Sequence, residues 1–153
     1  MKKESLIYKA YLDKDVKFSI RLGRMILAFG SIFLFVSGLA HAINSIIFLC
    51  NLDYSSMDPF GWVIVVFSFF LYLFMIFASI GGVSFSLNKG PFLSLTALTA
   101  IVSAVCFLVW MIFDINGLVS GGNVSTFFQS FASIDLSLLI YFIGWFLAKD
   151  YLD

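Results

Sequence analysis

Few of the residues that ordinarily meet water or do chemistry are present in this chain of 153 residues. Charged side chains make up 12% of it, with one histidine, two cysteines and two prolines. A soluble domain carries about 25% charge, which excludes an ordinary water-facing fold. One histidine cannot ligate a haem from both sides, and there is no HExxH, no paired set of metal ligands and no glycine-rich phosphate loop. Cys50 and Cys106 are too far apart for a CxxC metal or redox motif. No Ser/His/Asp constellation stands out either, so no catalysis, cofactor or metal is expected. The cations cluster only in an amino-terminal arm and no nucleic-acid module accompanies them, so no nucleic-acid partner is expected.

Apolar residues are abundant, at 61% of the chain, and twenty of them are phenylalanine. They gather in four runs, residues 25–50, 60–82, 91–113 and 127–148, each near or above the ~20 residues that cross ~30 Å of hydrocarbon. The runs are continuous rather than alternating, which favours helices over a barrel. The expected fold is all-α: a polytopic membrane protein with four transmembrane helices in an up-down-up-down bundle.

The nine Lys and Arg predict its direction. Lys2, Lys3, Lys9, Lys14, Lys17, Arg21 and Arg24 precede the first run, Lys89 separates the second from the third, and Lys149 follows the fourth. The other two gaps contain none. Cytoplasmic loops keep cations, so both termini are expected in the cytoplasm, with the protein in a plasma or inner membrane. The plan is a cationic arm over 1–24, a transmembrane domain over 25–148 and a short tail over 149–153.

Residues flanking the runs agree with this plan. Pro59 and Pro91 stand where helices begin. Trp62 and Trp110 fall near the outer interface and Trp145 near the inner one. Gly81 and Gly82 are expected to loosen the inner end of span two, and Gly121 and Gly122 the second outer loop. In the arm, Leu6, Ile7, Ala10 and Tyr11 have helical spacing suited to a membrane interface, whereas residues 16–22 alternate with period two, leaving helix and extended segment both open. Ala40-His41-Ala42 resembles a signal cleavage site, but the apolar run continues through Ile43 to Leu49, so span one is expected to be retained. Depth counting sets Cys50 at the outer edge and Cys106 inside the bilayer, so no disulfide is expected. Asn123-Val124-Ser125 is a glycosylation sequon in an outer loop, a pattern that chance often supplies.

Asp135 most needs explaining. Placing it outside the membrane would leave a fourth span too short to cross, so it is expected within the helix, about 21 Å above Lys149. An ionised carboxylate there costs ~2.5 kcal/mol or more on insertion scales, so it should be protonated, paired or facing water. His41 lies at a similar depth in span one, and a His41 to Asp135 contact, as a proton relay or a static clasp, is one expectation. No contact at all is the other.

Helix phasing complicates that pairing. At 100° per residue, Ser130, Ser133, Ser137, Tyr141, Gly144 and Ala148 form one narrow stripe suited to close packing, and Asp135 points to the opposite side. If the stripe packs inside, Asp135 is left for another subunit, and if Asp135 packs inside, the stripe is left. Gly30 and Gly38 in span one, and Ala97, Ala100 and Ala104 in span three, are further helix-packing candidates.

The leading expectation is therefore a non-catalytic membrane subunit or accessory protein, assembling through its helices with another membrane protein or with copies of itself. The alternative is a small homo-oligomeric channel or proton-coupled transporter whose polar path runs by Asp135, His41, Asn44 and Gln129.

Overall fold

The structure of the chain, a computed structural model, describes residues 16–51, 58–87 and 93–149. Those residues are all helical apart from short turns. The elements are α1 (Phe18–Asn51), α2 (Pro59–Ser86), α3 (Leu93–Val119) and α4 (Val124–Ser130), which runs through a π-helical turn (Phe131–Asp135) into α5 (Leu136–Ala148). Four continuous helical stretches are long and apolar enough to cross a membrane, the last being Val124–Ala148. Phe29, Phe70, Phe77 and Ile112 are all more than half exposed on its outside. Such a surface suits hydrocarbon rather than water, as in an integral membrane protein.

Local chemistry accounts for the helix ends. The Asp58 carboxylate accepts from the Gly61 amide at 2.7 Å, and Pro59 occupies the first turn of α2, where a missing N–H costs nothing. Asn123 caps α4 in the same way, its side-chain oxygen accepting from the Ser125 amide at 2.8 Å. Gly121 adopts a left-handed φ of 92°. From there its N–H reaches the Leu118 carbonyl at 3.2 Å and the Gly122 N–H reaches the Gly117 carbonyl at 3.0 Å. This paired closure ends α3 firmly, so these glycines tighten the loop they were expected to loosen.

Other boundaries also move. The first helix begins at Phe18, which decides in favour of helix for the alternating stretch from that point on. The third continues past Phe113 to Val119, so it carries Asp114 within the helix and sets Trp110 well inside its end. Gly81 and Gly82 lie within α2: the Gly81 carbonyl accepts from the Thr96 hydroxyl at 3.0 Å, and a Cβ on Gly82 would collide with Ser31 and Tyr141. They are packing positions, not a loosened end. The arm over 1–15, Asp53, Lys89, Pro91 and the tail after Lys149 lie outside the described residues.

Close backbone approach joins α1 to α5. A Cβ on Gly23 would sit 2.7 Å from the Ala148 amide nitrogen, one on Gly30 would sit 3.0 Å from that of Tyr141, and one on Gly144 would strike the backbone of Leu27. Small residues here let two helices meet along their length. Gly38 meets Met75 and Tyr72 of α2 in the same manner. Leu27, Leu34, Met75, Ala78, Ala100, Leu138, Tyr141 and Ala148 form the fully buried core between the helices. Ala97 and Ala104, one turn to either side of Ala100, are half-buried.

Candidate functional site

Towards the end of the bundle that carries the α3–α4 connection, all four membrane-length helices contribute polar side chains. From α1, the Ser37 hydroxyl donates to the Ser133 carbonyl and His41 Nε2 lies 2.9 Å from the Ser133 hydroxyl. The Ser133 hydroxyl also reaches the Gln129 carbonyl of its own helix at 2.8 Å. The His41 ring stacks on Tyr72 of α2 with centroids 5.1 Å apart. From α3, the Trp110 indole donates to the Ser130 hydroxyl at 2.9 Å and packs edge-on to Tyr72.

Asp135 ends the π-helical turn and is wholly buried. Neither of its oxygens accepts a hydrogen bond from any amide, hydroxyl or cation among the described residues. The group it faces is another carboxyl, that of Asp114, near enough to hydrogen-bond once either carries a proton. One oxygen of Asp114 is likewise buried without a donor. Asp114 also lies near the Tyr72 hydroxyl, which Ser68 approaches from within the same helix. Two carboxylates side by side in a low-dielectric interior oppose each other. The arrangement becomes favourable when a positive species lies between them, and a shared proton is the smallest such species.

The π turn explains why sequence phasing misplaces these groups. The Leu136 amide bonds to the Phe131 carbonyl, five residues back rather than four, so the turn holds one extra residue and rotates α4 relative to α5. The serine face and Asp135 are therefore both turned inward: Ser137 is fully buried, Ser133 meets α1 and Ser130 meets α3. Neither is left for another subunit by this packing. The expected His41 to Asp135 contact is replaced by His41 to Ser133, with Asp135 turned towards α3.

The remaining polar candidates are peripheral. Asn44 is exposed and shares with His41, Ser68 and Tyr72 an open cavity of about 250 Å³ between α1 and α2. Gln129 is exposed, and only its backbone carbonyl meets the cluster. Asp114 was missed because the apolar run ends one residue earlier. The available signal was its spacing of one helical turn from Trp110, which continues the same face. Cys50 and Cys106 are both free thiols. No known family, characterised protein or solved structure matches the chain.

Proposed function

We propose that this integral membrane protein is a small, non-catalytic carrier that moves protons, alone or in exchange for another cation, through the Asp114–Asp135 pair. The observation that carries this reading is the wholly buried Asp135 carboxyl, which has no donor among the described residues and faces a second carboxyl. Burying an unpaired carboxyl opposes folding, while binding a positive species relieves that cost. Cavities that border Asp114 on two sides, between α2 and α3 and between α3 and α4, give the pair routes to its surroundings.

The proposal includes an up-down-up-down arrangement with both termini in the cytoplasm of a plasma or inner membrane. The alternate placement of cations supports that direction. The contacts of Gly23 with Ala148 and Gly30 with Tyr141 between α1 and α5, and of Ser31 with Gly82 and Gly38 with Met75 between α1 and α2, support alternation, since numbers rise along one helix as they fall along its neighbour.

An accessory-subunit role drew its support from one face of the fourth span being left over. Both faces are occupied within the chain, so the carrier reading is preferred. It is tested in liposomes that contain the full chain and a pH-sensitive dye. Under an imposed membrane potential, or an outward gradient of a monovalent cation, proton entry is expected with the native protein and at least ten-fold less with Asp135→Asn. Equal entry in the two, or none with the native protein, would overturn the reading.

A further inference from the structure

We infer that the cavity between α2 and α3 binds a small hydrophobic cation, an alkyl- or arylammonium, held by the Asp114 carboxyl and the Trp110 indole. The inference rests on reading the carboxyl pair as a site for positive charge, and it names the chemistry of a cation larger than the proton.

The cavity has a volume of about 550 Å³, within the range of small-molecule sites. Its wall is apolar and aromatic, with Phe67, Val109, Trp110 and Phe113 among its residues, and Asp114 is the one charged group among its described residues. Trp110 and Asp114 are one turn apart on α3 and share a face. The Trp110 and Phe67 rings lie nearly parallel, at 17° with centroids 6.4 Å apart, and aromatic faces attract cations, indole most strongly. Behind Asp114 stands Asp135, fully buried and without a donor among the described residues. The site therefore combines negative charge, with no cation beside it among the described residues, with an apolar wall.

Charge complementarity selects a cation, and the wall selects a hydrophobic one. A hard metal ion fits less well, because calcium and magnesium require six or more oxygen ligands and the remaining polar lining is Asn116. Val63 and Phe113 at the cavity are 64% and 43% exposed on the apolar outer surface. An amine dissolved in the membrane would thus enter sideways without crossing the bundle.

The test uses the full chain in lipid nanodiscs with two probes of nearly equal shape, benzyltrimethylammonium and its uncharged carbon isostere neopentylbenzene. Binding is read by calorimetry and by tryptophan fluorescence. Saturable binding of the ammonium is expected, with the isostere at least ten-fold weaker. Asp114→Asn should weaken the ammonium at least ten-fold, and Phe67→Leu, at a partly exposed position, about three-fold. Should Asp114→Asn fail to fold, the two-probe comparison on the native protein and Phe67→Leu still decide. Equal binding of the two probes, or of the ammonium to native and Asp114→Asn protein, would mean that the cavity takes only apolar chains and would overturn the inference, as would no binding. Proton entry, measured on the same purified protein reconstituted in liposomes, separates the two proposals: entry without ammonium binding removes this inference alone, and binding without entry removes the carrier reading alone.

Discussion

Tyr141 and Asp135 lie less than two turns apart on one membrane-length helix, and both are wholly shielded from the surroundings. The Tyr141 hydroxyl donates to the Ala78 carbonyl at 2.9 Å and meets the Thr99 hydroxyl at 2.9 Å. Nearby, Thr96 donates to the Gly81 carbonyl, and Ser31 and Ser103 donate to carbonyls of their own helices. A hydroxyl brings its own proton and can close on any carbonyl within reach, whereas a carboxylate brings only acceptors. The region around Tyr141 thus gains stability from its polar groups. The region around Asp135 loses stability, and there a bound proton or cation has most to offer.

This contrast can be broken most directly at Asp135. Asp135→Asn is expected to reduce proton entry into liposomes at least ten-fold while the protein melts in detergent at an equal or higher temperature, because the second buried acid has been removed. A markedly lower melting temperature with proton entry intact would put Asp135 in the same class as Tyr141. A next, purely structural effect is expected at Gly144, where α5 lies against the Leu27 backbone. Gly144→Val should cost about 3 kcal/mol by forcing α1 and α5 apart, read as loss of the cooperative transition or a large fall in its midpoint. Retained stability would mean that these helices can part without disturbing either region.

Tyr141→Phe removes the best-satisfied polar group of the core. It leaves the Ala78 carbonyl without this donor and should cost about 1 to 2 kcal/mol of stability, with proton entry unchanged. A fall in entry matching that of Asp135→Asn would show that the two regions act as one path. The smallest effect concerns orientation: a membrane-impermeant maleimide should label Cys50, exposed near the end of α1, on intact cells. The half-buried Cys106 should remain unlabelled. If labelling of Cys50 requires permeabilised cells, the end of the bundle that carries the Asp114–Asp135 pair lies on the cytoplasmic side and the proposed direction is reversed.

Much of the architecture was legible because hydropathy is a local, additive property. Four apolar runs imply four helices whatever they pack against, and Asp58, Pro59 and Asn123 act as caps through neighbours a few residues away. Asp135 could be assigned to the interior of its span by length alone. Its surroundings could not, because they depend on phase and register between helices, which no single run contains. One extra residue in the π turn rotates the serines relative to Asp135 and turns both faces inward. The extension of α3 by less than two turns brings Asp114 into a helix and against Asp135. The chain by itself placed a carboxyl within the length of an apolar span; the packing of four helices buried it and made its neighbour a second carboxyl rather than His41, since that choice rests on side-chain direction across a helix interface.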